Sequence, residues 1–322
     1  MTPLVACVLT VALIALCLYA VFGGADFGGG VWDLLATGRR ARAQREAITL
    51  AIGPVWEANH VWLIFTIVLL FTCFPPAFAD LSIGLFVPLT IALVGIVLRG
   101  AAFVFRNYAA GAQGISLVWG AIFGGASVLA PLAFGLCVGG MATGRYAWSS
   151  PFAWCIAAFA LTLCAQVAAV FLTMEVADAE LVGDFRRRAL LATLAVAAVG
   201  AVALIVAHAT EPALFARLAA PRALVIVAVA MLLGAALGAA LIGARYAVAR
   251  ILVAGEVVAI LGAWFGAQTP YLIADRFTYM QAASGERVLT AFLIATGVGA
   301  IVLFPSLWLL FSVFKRAPAP KT

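Results

Sequence analysis

Nine apolar runs succeed one another along 322 residues, and the charged side chains fall almost entirely between them. No other feature limits the fold so tightly. In hydrocarbon every backbone N–H and C=O needs a partner, and a helix supplies it within its own segment. A helical span takes about 20 apolar residues. The runs are 3–36, 47–74, 80–104, 114–138, 151–176, 188–209, 222–243, 250–268 and 288–314. Strand alternation, a glycine-rich phosphate loop and a nucleophile elbow are all missing from the sequence. The expected fold is therefore all-α: a polytopic membrane helix bundle of nine transmembrane helices. Connections are short, with Pro75-Pro76 breaking the chain after the second run and Pro151 opening the fifth. Residues 1–322 read as a single integral-membrane domain; two loosely related four-helix groups plus one helix would fit, but no repeat is visible.

Charge orients the bundle. The net charge of +6 would suit nucleic acid, but with only 10% charged residues in short clusters there is no basic stripe, and no nucleic-acid partner is expected. If all nine runs span, fourteen of the nineteen Lys and Arg lie on one side: Arg39, Arg40, Arg42, Arg45, Arg99, Arg106, Arg186, Arg187, Arg188, Arg245, Arg250, Lys315, Arg316 and Lys321. The other side holds Arg145, Arg217, Arg222, Arg276 and Arg287. The positive-inside bias then puts the N-terminus in the periplasm and the C-terminus in the cytoplasm. No Lys or Arg precedes Arg39, so the first run lacks the basic start of a cleaved signal peptide and reads as a retained span.

Against this background the stretch Gly53 to Trp62, GPVWEANHVW, stands apart. It sets Glu57, Asn59 and His60 between Trp56 and Trp62 inside an apolar run. An acid at the centre of a membrane helix costs about 2.5 kcal/mol or more, which makes it a candidate functional group. The bland alternative is a helix nearer the interface, with Glu57 and His60 wet. Asp26, in YAVFGGADFGGGVWDLL, lies about ten residues from the inner end of the first run, and Glu57 about ten from the start of the second. At 1.5 Å per residue both sit roughly 15 Å from the cytoplasmic surface. Two carboxylates at one depth on neighbouring helices suit a proton relay. Glu57 and His60, three apart, share a helix face. For Asp26 a pairing with Arg99 is the alternative, and it is compatible with a relay. Gly23, Gly24, Gly28, Gly29 and Gly30 allow close helix approach or local unwinding, with packing preferred. Glu256 is a further embedded acid, in the cytoplasmic part of the eighth run, and WFGAQTPYLI reads as that helix's outer end.

Metal chemistry finds little support. His60 could in principle ligate haem, but Met141, Met174, Met231 and Met280 have no spacing that points to a second axial ligand. His208 reads as interfacial. The six cysteines form no CxxC or Cys/His pattern and read as small buried hydrophobes. No metal site is expected.

YAVFGGADFGGGVWDL, GPVWEANHVWLI and LRGAAFVFR, in that order, resemble subunit II of the cytochrome bd-type quinol oxidases. FLTMEVADAEL, WFGAQTPYLI and GVGAIVLFPSLWLLFSVFK resemble its fifth, eighth and ninth spans, so the likeness runs over essentially the whole chain. It implies a multi-pass protein of the bacterial inner membrane and a heterodimer with a larger subunit I, whose haem b and haem d reduce O2 to water with electrons from quinol. This chain would itself bind no cofactor, and would support subunit I and supply part of a cytoplasmic proton path. Membrane lipid, quinone and a small accessory subunit are further partners the likeness allows. On the family's pattern Asp26 and Glu57 are the path acids, supported by Trp56, Asn59, Trp62, Arg99 and Arg106, and His60 joins the relay by its spacing from Glu57, unless protons enter mainly through the partner. Gly23 and Val104 stand where some members carry acids, so the path cannot be carried over whole. The alternative is a proton-coupled secondary transporter with its site at Asp26, Glu57 and His60. Such folds tend to show broken helices in both halves, and the glycine-rich stretch has no counterpart in the second half of this chain.

Overall fold

The computed structural model describes residues 2–108 and 113–314, without the side chains of residues 52, 54, 57, 107, 113–115, 310, 311, 313 and 314. Lys315, Arg316 and Lys321 lie outside it. The helices are α1 (Pro3–Leu34), α2 (Ala41–Cys73), α3 (Pro75–Gly84), α4 (Phe86–Tyr108), α5 (Gln113–Ala142), α6 (Pro151–Glu175), α7 (Ala179–Thr210), α8 (Pro212–Leu218), α9 (Pro221–Ile242), α10 (Tyr246–Gln268), α11 (Tyr279–Ala282) and α12 (Glu286–Phe314). Among the described residues eight helices are long and apolar enough to cross a membrane, and a ninth crossing results if the bent pair α2–α3 counts as one span.

Two expectations need correcting. The third span begins at Phe86, not at residue 80. Pro75 and Pro76 start a separate helix, α3, which turns by 118° from α2. Proline tolerates the first turn of a helix and cannot continue the previous one, so Pro75-Pro76 ends α2 as read, while the run read as 80–104 is split at Leu85 between α3 and α4. The bundle also carries a two-stranded antiparallel hairpin, β1 (Tyr271–Ile273) with β2 (Phe277–Thr278), after α10. Strands this short leave no alternation to read.

Apart from Arg99, the paired arginines among the described residues fall into two groups, one at each end of the bundle. At one end Arg40 bridges Asp184 at 2.6 Å and Glu180 at 2.9 Å, Gln44 donates to Asp184, and Arg188 donates to Gln44. Arg186 donates to the last carbonyls of α9, Leu241 and Ile242, and Arg250 pairs with Glu175 at 3.3 Å. At the other end Arg276 grips Asp80 through two hydrogen bonds, Tyr146 donates its hydroxyl to the same carboxylate, and Arg145 pairs with Glu211 at 2.6 Å. Burial, then the hydrogen bond and charge of Asp80, push the Tyr146 phenol upward in pKa. Exposed pairs of this kind add little stability each; they tie loops to helix ends.

Close helix approach builds the centre. α1 is unbroken through its glycines. A Cβ on Gly28 would stand 1.9 Å from the Cys164 carbonyl oxygen of α6, and one on Gly30 would stand 2.0 Å from Ser127 Oγ of α5. No side chain fits at either place, so these glycines serve contact rather than unwinding. Trp32 Nε1 donates to the Ala165 carbonyl at 2.7 Å, fixing α1 on α6.

Candidate functional site

The polar centre grows from two helices that run parallel, α1 and α4. Asp26 is fully buried, and Arg99 is 1% exposed. Arg99 donates to Asp26 Oδ1 at 2.6 Å and to the Asp26 carbonyl at 3.0 Å, while its Nε donates to Ser127 Oγ at 3.0 Å. Ser127 passes its own hydrogen to the Phe123 carbonyl at 2.7 Å. The guanidinium lies 4.8 Å from the Phe123 ring centre and 5.4 Å from that of Phe27. Burying two charges costs several kcal/mol per ion, and it is tolerated where the partner and further hydrogen bonds are close. Here all of them are. The Asp26–Arg99 pairing offered by the sequence is the one formed.

A second rung repeats the first two helical turns further on. Arg106 NH1 donates to Asp33 Oδ2 at 3.0 Å, and Arg45 binds the Asp33 and Ala36 carbonyls at the end of α1. Asp33 did not emerge from the sequence as a site residue. The signal was there: Asp26 to Asp33 and Arg99 to Arg106 share a seven-residue spacing, which keeps both pairs on one face about 10 Å apart.

α2 approaches the first rung from the other side. Asn59 Nδ2 donates to Asp26 Oδ2 at 3.4 Å. Gly23 admits this contact, since a Cβ there would lie 3.2 Å from Asn59 Oδ1. The second helix therefore meets the first at Asn59, two residues beyond Glu57. His60 Nδ1 lies 2.8 Å from the Trp56 carbonyl. A carbonyl only accepts, so Nδ1 is the donor in this contact. His60 thus bonds its own helix through Nδ1, a contact the three-residue spacing to Glu57 did not suggest. Trp56 packs edge-on to His60 and against Phe103 of α4, and Trp62 is buried. The backbone of Glu57 is in α2, and its side chain lies outside the described residues.

Asp26, Asn59, His60 and Arg99 line one cavity with Tyr19, and its volume is about 10 Å³. That is room for about one water. Tyr19 Oη and Asn59 Oδ1 have no protein partner among the described residues. A porphyrin cannot enter such a space, so His60 does not fit the role of a haem ligand from this cavity. No group of three or more His, Cys, Asp or Glu able to hold a metal occurs among the described residues.

Comparison with known proteins gives the frame for this geometry. Residues 4–314 match the cytochrome bd terminal oxidase subunit II family. The chain belongs to that family. Cytochrome bd ubiquinol oxidase subunit 2 of Bacillus subtilis strain 168 is 34% identical over 84 residues, 26% of this chain and 24% of that protein. A second protein of the same strain, named for a cytochrome bd menaquinol oxidase subunit II, is 29% identical over 92 residues, 29% of this chain and 27% of its own length. The matched stretches thus span about a quarter of either relative. A chain of the solved bd oxidase of Geobacillus thermodenitrificans has the same fold, with a TM-score of 0.77 and 20% identity over 98% of this chain and 100% of that one. The transporter reading gains nothing from these matches. The break it would need is also misplaced: α1 is continuous, and the bent element is α2–α3, at the end of the bundle away from the second Asp–Arg rung.

Proposed function

We propose that this chain is the haem-free second subunit of a bd-type terminal oxidase of the bacterial inner membrane. In this reading a larger subunit I carries haem b and haem d, takes electrons from quinol and reduces O2 to water. The observation that carries it is the family match over residues 4–314. The two Bacillus relatives are named for different quinols, so the quinone stays open. Residues 1–322 act as one integral-membrane domain, with the N-terminus periplasmic and the C-terminus, with the end that carries Arg40, Arg186, Arg188 and Arg250, facing the cytoplasm. Lipid and quinone surround it, and a small accessory subunit fits the same picture.

Its chemical task is to deliver protons from the cytoplasm toward the partner. Asp26, Glu57 and His60 carry the proton, and Arg99, Asn59, Trp56, Trp62 and Arg106 hold them in place. What supports this is the shared cavity of Asp26, Asn59 and His60. One water there would join Tyr19 Oη and Asn59 Oδ1 to the imidazole. Arg99 holds the Asp26 carboxyl in position at the end of the route.

The test begins with the chain tagged and purified from native membranes in mild detergent. A reduced-minus-oxidised spectrum should show haem b and haem d in proportion to a co-purifying larger subunit. A colourless preparation without a partner, from respiring cells, would sink the oxidase reading. Within an assembled complex, Glu57→Gln should slow oxygen consumption severalfold while quinol still reduces the haems. An unchanged rate would remove Glu57 from the route.

A further inference from the structure

Glu256 takes no part in the cluster above. It sits ten residues into α10, about 15 Å from that helix's start, nearer mid-membrane than its sequence position suggested. Its carboxyl is buried. Oε2 accepts from Gln166 Nε2 of α6 at 3.0 Å, and the same nitrogen reaches Thr193 Oγ1 of α7 at 3.3 Å. Thr193 donates in turn to the Ala189 carbonyl at 2.9 Å. Three helices thus meet at one polar node. Around it Ala25, Val167, Val170, Val253 and Val257 form a packed apolar layer.

The node is short of a donor. Gln166 is fully buried, and its Oε1 has no partner among the described residues. A carboxylate can only accept. No ion pair to Glu256 occurs among the described residues. Arg250 of the same helix pairs with Glu175, and on α7 Arg186 is spent on the carbonyls of α9 while Arg188 binds Gln44. A proton on Glu256 removes an uncompensated charge from hydrocarbon.

Access comes from α9. Glu256 Oε1 points at Gly234, where a Cβ would stand 2.7 Å away. Gly234 is half-buried, and Met231, Leu232, Ala235 and Ala236 beside it are exposed. The acid therefore lies under the one residue of this stretch that has no side chain.

We propose that Glu256, with Gln166 and Thr193, is a proton-binding site in its own right: a neutral carboxylic acid that opens to hydrocarbon at Gly234. The inference does not rest on the oxidase reading and would survive its failure.

An apolar carbodiimide tests it on the intact complex. The acid proton passes to a carbodiimide nitrogen, and the carboxylate oxygen adds to the central carbon. An O-to-N acyl shift then leaves a stable N-acylurea, with no other reactant consumed. Peptide mass spectrometry should find dicyclohexylcarbodiimide on Glu256 in the wild type. Labelling should fall severalfold in Gly234→Ala, which closes the opening. Infrared spectra of Glu256→Gln should lack one protonated-carboxyl band present in the wild type. Wild-type protein labelled elsewhere but not at Glu256 would overturn the proposal, as would a Glu256→Gln complex that keeps every such band. Should Glu256→Gln fail to assemble, the wild-type labelling alone decides.

Discussion

Replacing Arg99 with Met isolates the physics of the central pair. The substitution keeps an unbranched apolar side chain and removes the guanidinium. Asp26 then loses its contact at 2.6 Å and keeps only Asn59 at 3.4 Å, in a site with no exposure. Breaking a buried pair by removing one partner costs about 3–5 kcal/mol. An independent bound agrees: neutralising an aspartate of ordinary pKa near 3.9 at pH 7 costs about 4 kcal/mol, and proton uptake caps the penalty there. At roughly 2 °C per kcal/mol for a chain of this size, the melting temperature should fall by about 6–10 °C. Cys17, Cys73 and Cys137 are free and buried, so a thiol-reactive dye reads the unfolding of the purified complex. The companion variant Asp26→Asn/Arg99→Met removes both charges, and its melting temperature should recover at least half of the loss. If the double variant is as unstable as Arg99→Met, or if Arg99→Met melts with the wild type, the charge-pair account is wrong.

Other expectations follow from the same contacts. Gly28→Ala should prevent assembly, because its Cβ would meet backbone, the Cys164 carbonyl at 1.9 Å, which cannot step aside; a normal yield of complex after membrane extraction would contradict the packing described. Trp32→Phe should lower stability by about 1 kcal/mol through loss of the 2.7 Å bond to Ala165, read as a drop of a few degrees in the same dye assay. Arg40→Ala, although it removes bonds to both Asp184 and Glu180, should leave the melting curve nearly unchanged because the pair is exposed to water, and raised salt should have as little effect.

The bundle was legible where one residue's neighbours along the chain decide the outcome. Apolar runs of span length dictate helices because lipid offers the backbone no other partner, and the end at Gln268 and the start at Pro151 follow the same logic. The split at Phe74 was legible in Pro75-Pro76, but the second break at Leu85 was not, since FVPL continues the apolar pattern. Depth along a helix could also be counted, and Asp26 and Asn59 do meet.

Which polar groups touch was decided elsewhere. Sequence spacing puts His60 and Glu57 on one face of α2, and the bond of His60 Nδ1 to the Trp56 carbonyl is a contact that spacing did not offer. Ser127 lies in no motif and Tyr19 only opens YAVFGGADFGGGVWDL, and the approach of α5 to Gly30 and of the cavity to Tyr19 is what gives them a role. The sequence by itself determined that the chain is a bundle of span-length apolar helices and where along the chain most of them lie. These are set by local hydrophobicity and by the fixed rise of a helix. The tertiary structure alone decided that Asp33 is held by Arg106 and that Glu256, among the described residues, is bonded by the Gln166 amide and by no cation. Those outcomes depend on how each helix is rotated about its axis, and close packing at Gly28 and Gly30 fixes that rotation for α1.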